Sequence, residues 1–406
     1  MANKRKHKIG LACAGGAIEG AAYEIGALRA LDEALEGISF DDLDVYVGVS
    51  SGAFITSCLA NKISTKTLAK AFISKVENVL PITPTTFFTP AFDEYQKRLF
   101  KIPGLITESF MEYLLHPFDI SLGGAFFKLT SAIPVGLFNN EKLREFLEKN
   151  FAIEGRTDDF KKLEPTLRVI ATNVENSKIV RFGEPPNDKI PISKAVQAST
   201  ALPVLYMPVK INGDYYIDGV ARKTVHASVA LEEGADLVFC INPIVPIDAK
   251  QLDKVEHQIK DGLIEQGLPS VLSQTFRMMI HSRMKAGFKN YEYAYPDSDF
   301  IVIEPKPSDY EMFYTNIFSF SNRRKVCEYA YQTTRKNLLE RANEIQLKLK
   351  KYGIKLRIDI LEDKTRTLYQ AEDEKDIPTS GSDAINKVDN VLEKLDRILE
   401  KIETAA

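Results

Sequence analysis

Ser50 lies in Gly48-Val49-Ser50-Ser51-Gly52, behind the apolar run Val45-Tyr46-Val47 and ahead of the helix-prone run Ala53 to Ala60. A hydroxyl on a sharp strand-to-helix turn is lifted clear of the sheet, and flanking glycines leave it room, so this G-x-S-x-G reads as a serine nucleophile. The positive end of the helix that follows sits where negative charge would develop. A serine hydroxyl attacks only when a base takes its proton, and acyl transfer needs backbone donors for the oxyanion. The loop Ala14-Gly15-Gly16-Ala17 can supply donors, because its N–H groups converge without side-chain obstruction. A dinucleotide-binding G-x-G-x-x-G is the competing reading, and Gly15, Gly16 and Gly20 lack its spacing. Two kinds of base are present. His226, His257 and His281 fall late in the chain, as the histidine of a Ser-His-Asp hydrolase would. Asp218, in Tyr215-Tyr216-Ile217-Asp218-Gly219-Val220, ends a strand-like run at a glycine turn, although Asp-Gly is also the ordinary mark of a hairpin.

The surrounding elements must bring these groups together. Residues 8 to 60 read as strand (Lys8 to Ala12), glycine loop, helix (Ala21 to Ala34), strand, serine turn and helix, the alternation of a parallel α/β sheet. The apolar runs 167–172, 179–182, 237–241 and 300–303 suit further strands covered on both faces. Between the serine turn and the third strand, residues 80–140 are crowded with Phe, Pro and Gly: Phe87-Phe88, Phe92, Phe100, Phe110-Met111, Leu114-Leu115, Phe118 and Phe126-Phe127. Such an insertion either completes the core as a helical cap or forms a lid and acyl-chain wall over the serine. After Pro305 the chain turns helical. The division expected is 1–310 as the catalytic domain, 311–362 as a helical and mixed extension, 363–383 as a polar linker and 384–406 as a short helix. In that last segment Ile385, Val388, Leu392, Leu395, Leu399 and Ile402 alternate three and four apart, so it docks on the body or joins a second copy into a homo-oligomer.

Composition sets the outer bounds. At 406 residues and 44% hydrophobic content the chain buries a large core and is not disordered. A net charge of −3 gives no overall basic field, so no nucleic-acid partner is expected. Cys13, Cys58, Cys240 and Cys327 are far apart, without C-x-x-C spacing or neighbouring histidines; free buried thiols in a reducing compartment are expected, with no metal and no cofactor. The N-terminus imitates a secretory signal, with Lys4-Arg5-Lys6-His7-Lys8 ahead of an apolar run. That run is glycine-rich and stops at Glu19, and it reads better as a first strand entering its loop. With no long uncharged apolar stretch, the expected location is the cytoplasm, peripheral to lipid at most.

The order of the pieces resembles the patatin-like phospholipase family: a glycine-rich loop near the N-terminus, G-x-S-x-G about thirty residues on, and Asp-Gly far downstream of Ala198-Ser199-Thr200-Ala201-Leu202-Pro203. Pro134-Val135-Gly136-Leu137-Phe138 strengthens the match, which spans roughly 8–305. The resemblance implies a three-layer α/β/α fold with a mainly parallel central sheet, and hydrolysis of acyl esters of phospholipids or related lipids without metal. It also implies a Ser-Asp dyad, with Ser50 as nucleophile, Asp218 as base and Gly15, Gly16 and Ala17 as the oxyanion loop, framed by Gly48, Gly52 and Gly219. Two departures stand out. The family's loop carries three glycines and then, one residue on, a basic residue; here Ala14 replaces the first glycine, one residue is added, and Glu19 occupies the basic place. A carboxylate there repels an oxyanion or phosphate unless it is turned away. Val220 follows Asp-Gly where the family has a smaller residue. As a general base, Asp218 should have a pKa raised by burial. The alternatives are an acyltransferase on the same dyad, and a catalytically weak protein that binds a lipid or granule surface through the aromatic insertion.

Overall fold

The computed structural model describes residues 7–73, 82–115, 130–246, 248, 264–265, 267–307 and 322–368. β1 (Ile9–Cys13) is apolar and fully buried, and it leads through Ala14 to Gly16 into α1 (Ala17–Ala34). After β2 (Leu35–Glu36), β3 (Val45–Val49) runs into Ser50 and α2 (Ser51–Ala60). Next come α3 (Thr65–Ile73), α4 (Pro84–Phe87), β4 (Thr89–Pro90), α5 (Phe92–Leu115), β5 (Gly136–Asn139) and α6 (Glu141–Phe151). They are followed by β6 (Thr166–Asn173), β7 (Ile179–Phe182), α7 (Ile192–Ser199), β8 (Val204–Tyr206), β9 (Val209–Ile211) and β10 (Asp214–Asp218). The alternation closes with α8 (Ala227–Glu232), β11 (Leu237–Ile241), α9 (Leu268–Ala294) and β12 (Asp299–Ile303). The last described elements are α10 (Arg323–Glu340), α11 (Ala342–Lys350), β13 (Lys355–Leu356) and α12 (Ile358–Glu362).

One sheet runs in the order β12-β11-β1-β3-β6-β10-β9, with β7 also on β6. From β12 to β6 the strands are parallel, while β10, β9 and β7 join antiparallel. Successive side chains on a strand point to opposite faces. Leu11, Cys13, Tyr46, Phe239 and Ile241 therefore pack on one face, in a core shared with α1, α2, α6, α7 and α10. Ala12, Val45, Val47, Val49, Val238 and Cys240 pack on the other, under α8 and α9. This is the three-layer α/β/α fold that the sequence implied, with burial on both faces accounting for the continuous apolar strands β1, β3 and β11; β7, expected to be covered likewise, leaves Ile179 exposed and buries only Phe182.

α10 lies against α1 so closely that a Cβ at Gly26 would collide with the Cys327 carbonyl. Beyond it, Arg335 donates to the Ile360 carbonyl at 2.7 Å, and Leu368 is buried in the same core. Residues 363–368 of the expected linker thus pack onto α10; 369–383 and the helix expected at 384–406 lie outside the described residues. From the insertion, β4 and β5 join β8 in a small three-stranded sheet. Phe87 is buried and Phe88 packs against the core, whereas Phe92 and Phe100 are exposed. The side chains of Phe110, Leu114, Leu115, Phe118, Phe126 and Phe127 lie outside the described set. No helix among the described residues is long and apolar enough to cross a membrane.

Candidate active site

β6 carries the site. Along one of its edges β3 pairs in parallel, with Val49 opposite Ile170. β7 occupies the other edge over Val169 to Thr172, so β10 must join on the β3 edge, antiparallel, with Asp218 opposite Ala171. β3 and β10 therefore run head to head, and their C-terminal ends meet at consecutive residues of β6, about 3.3 Å apart along the strand. Ser50 leaves the end of β3 there, and Asp218 is the end of β10.

The turn at Ser50 is held in a conformation an L-residue adopts at a cost, φ 54° and ψ −123°, typically about 1–3 kcal/mol. Three contacts hold it. Ser50 N–H donates to Ser199 Oγ at 2.9 Å, and that hydroxyl donates to the Ile170 carbonyl at 2.6 Å. Gly52 N–H donates to the Ala14 carbonyl at 2.9 Å, tying the turn to the glycine loop. Crowding explains the flanking glycines: a Cβ at Gly48 would strike Thr56 and Ala53, and one at Gly52 would strike the Cys13 and Ala14 carbonyls. Ala201 accepts Asp218 N–H at 2.9 Å, so the 198–203 run grips both strand ends.

Asp218 is fully buried. Its Oδ1 accepts Val220 N–H at 2.9 Å, whereas Oδ2 is buried without a partner of ordinary hydrogen-bond geometry. Burial pushes its pKa up to about 7, against smaller opposing effects of the Ser50 hydroxyl and the Val220 N–H. A carboxyl in this range can take and return a proton near neutral pH. Val220 also lies against the loop, its Cγ2 3.5 Å from where a Gly15 Cβ would stand.

Gly15 faces the serine directly, since a Cβ there would come within 2.9 Å of Ser50 Cβ. Among the described residues the N–H groups of Gly15 and Gly16 donate to no backbone carbonyl, while Ala14 N–H is used by Ile241. The helix expected from Ala21 begins at Ala17, so Gly20 lies in its first turn, where a Cβ would stand 3.0 Å from Ser51 Oγ. Glu19 is accordingly a first-turn residue, and it is not turned away: it lines a cavity with Ser50, Asp218 and Arg277. It is 7% exposed, and burial pushes its pKa up to about 8 although Arg277 opposes this. At pH 7 it is neutral, which removes the repulsion its charge would have caused. One turn on, Glu24 is also buried, its carboxyl pushed far above the usual range by burial and opposed by Ser51.

Two cavities open at Ser50. The first is apolar, walled by Phe54, Phe87, Phe88, Leu143, Leu205 and Tyr206. The second holds Glu19, Asp218, Ser273, Phe276 and Arg277. Neither His226 nor His281 lines either of them. His226 is buried and held neutral, its pKa pushed down to about 3 by burial and then Lys223; His257 lies outside the described residues. All four cysteines are buried and free, and no cluster of metal-ligating side chains occurs among the described residues. Sequence reasoning quoted Ser199 and Ala201 without seeing what they do, and it missed Glu24 and Arg277. Arg277 sits on a long helix whose sequence gives no sign that one side chain lines the cavity at Ser50.

The family model described as Patatin-like phospholipase matches residues 11–231. A solved structure of VipD from Legionella pneumophila is similar at 14% identity, over 99% of this chain and 87% of that chain, with a TM-score of 0.32. No curated protein matches.

Proposed function

Because the chain belongs to the patatin-like phospholipase family, a family of lipid acyl hydrolases, we propose that it cleaves lipid acyl esters through Ser50 and Asp218 by way of an acyl-enzyme. The observation that carries this reading is the meeting of β3 and β10 on Ile170 and Ala171, which gives a nucleophile turn and a buried carboxyl one origin. In acylation Asp218 accepts the Ser50 proton as Oγ attacks the carbonyl carbon, and the N–H groups of Gly15, Gly16 and Ala17 receive the oxyanion. Collapse of the intermediate expels the alcohol, which takes the proton from Asp218. Water then attacks the acyl-enzyme, giving its proton to Asp218, and Ser50 recovers one as the fatty acid leaves.

The apolar cavity bounded by Phe54, Phe87, Phe88 and Leu143 suits an acyl chain, and it gives part of the aromatic insertion a role as its wall. The deciding experiment compares wild type with Ser50→Ala on a medium-chain nitrophenyl ester and on mixed phospholipid micelles. Loss of both activities in the variant supports the hydrolase. Lipid binding with no hydrolysis in wild type would overturn it.

A further inference from the structure

The second cavity at Ser50 combines features that an ester carbonyl alone does not need. Arg277 reaches it from α9, half-buried, with Nη1 3.4 Å from the Val245 carbonyl. The Ser273 hydroxyl lies one turn before it. Facing them from the first turn of α1 is Glu19, more than nine-tenths buried, whose Oε1 has no hydrogen-bond partner. An unpartnered buried carboxyl oxygen is costly, and a hydrogen-bonding group of a ligand in the cavity would offset that cost.

Building on the assignment of Ser50 as nucleophile, we propose that this cavity receives the alcohol side of the ester and that Arg277 binds a phosphate carried there, with Glu19 as a hydrogen-bond donor to the same group. A guanidinium presents paired N–H groups that match phosphate oxygens, and charge-assisted bonds of this kind are among the strong ones. Glu19 fits the same ligand only as the neutral acid, whose O–H donates; its burial keeps it in that form at pH 7. The apolar cavity on the other side of Ser50 takes the acyl chain, so the ester is a lipid with its phosphate on the leaving side. The acid in the first turn of α1 then takes part in phosphate binding, and the cation comes from a helix distant in sequence.

The test uses dodecyl phosphate below its micelle concentration as a single-chain probe without an ester, titrated calorimetrically into wild type, Arg277→Gln, Arg277→Lys and Glu19→Gln at pH 7. Inorganic phosphate serves as the headgroup-only arm. Arg277→Gln should weaken binding roughly 10- to 100-fold, the span of a charged hydrogen bond, with Arg277→Lys between it and wild type. Glu19→Gln, which keeps a donor, should stay within about threefold. Dodecyl phosphate bound equally by wild type and Arg277→Gln, or by neither, overturns the proposal. Inorganic phosphate bound as tightly as dodecyl phosphate overturns the lipid assignment. Should Arg277→Gln fail to fold, Arg277→Lys decides: unchanged affinity refutes the site. Arg277-dependent binding without ester hydrolysis in wild type would sink the hydrolase and keep the subsite. Hydrolysis with Arg277-independent binding would do the reverse.

Discussion

Ser199 Oγ accepts the N–H of Ser50 at 2.9 Å across 149 residues of chain and passes its own proton to the Ile170 carbonyl. The Ser50 turn is thus fixed through its backbone, and the tether does not use the Ser50 hydroxyl. Ser199→Ala would leave the Ser50 N–H and the Ile170 carbonyl without this partner, at a position where Ser199 and Ile170 are fully buried. Loss of roughly 2–4 kcal/mol of stability is expected, together with at least a tenfold fall in kcat on a nitrophenyl ester. Denaturant unfolding beside initial rates checks both, and a fully active Ser199→Ala would show that the turn needs no such tether.

Asp218 ties stability to pH in a definite direction. Its folded pKa of about 7 exceeds the unfolded value near 3.9, so the native state binds the proton more tightly. Stability is fully present below about pH 4 and is lost as pH rises towards 7. Asp218→Asn lacks this penalty. Its Tm relative to wild type should be higher at pH 8 than at pH 5, while its turnover is abolished. A Tm difference independent of pH would contradict the burial effect. In wild type, kcat/KM on a neutral ester should climb through about pH 7 and level off, because only the carboxylate accepts a proton.

Glu19 acts at a higher pH and on a different property. Above about pH 8 it ionises beside Arg277 on α9 and Asp218 on β10, the other charged groups of its cavity. Turnover of a phosphate-bearing substrate should then fall relative to a neutral one between pH 7 and 9. Glu19→Gln should hold the ratio constant. Parallel profiles in the two proteins would dissociate Glu19 from substrate charge.

Two glycines should fail differently. A methyl at Gly15 meets the Ser50 side chain itself, at 2.9 Å from Cβ, whereas a methyl at Gly52 meets the Cys13 and Ala14 carbonyls, which belong to rigid backbone. Gly15→Ala should remain folded and lose most activity. Gly52→Ala should lose about 3 kcal/mol or more. Circular dichroism melts with activity at 25 °C separate the outcomes; a stable, active Gly52→Ala would refute the geometry.

Acyl-chain preference should follow the width of the apolar cavity. Leu143→Phe narrows it beside Phe54 and Phe87, so the optimum among nitrophenyl esters should move to shorter chains. An unchanged optimum would place the chain elsewhere.

Much of this was legible because it is local. The strand at 237–241 falls where its apolar run put it, since a strand buried on both faces must be apolar throughout; the strand at 179–182 also forms, but with Ile179 exposed and only Phe182 buried its position was legible and its burial was not. The turn at Ser50 was marked by two glycines whose crowding is now visible. What stayed hidden depends on pairs distant in sequence. Helix α1 starts four residues early because Gly20 is required by Ser51 packing rather than by a loop. Glu19 read as a repelling charge because its burial is a property of the assembled cavity. Arg277 had no signal at all: it is one of two arginines on a 27-residue helix, and nothing distinguishes it until the helix is docked.

The head-to-head junction on β6 also governs when the proposed pair can assemble. A ribosome that has released only the first two hundred residues has exposed Ser50 but not Asp218, and the strand that brings the carboxyl must still be threaded antiparallel onto β6. A slip of that strand by a single residue would turn Asp218 to the opposite face. On the proposed dyad, a half-made or misthreaded chain carries a serine without its base, and the pair can form only once synthesis has passed the middle of the chain.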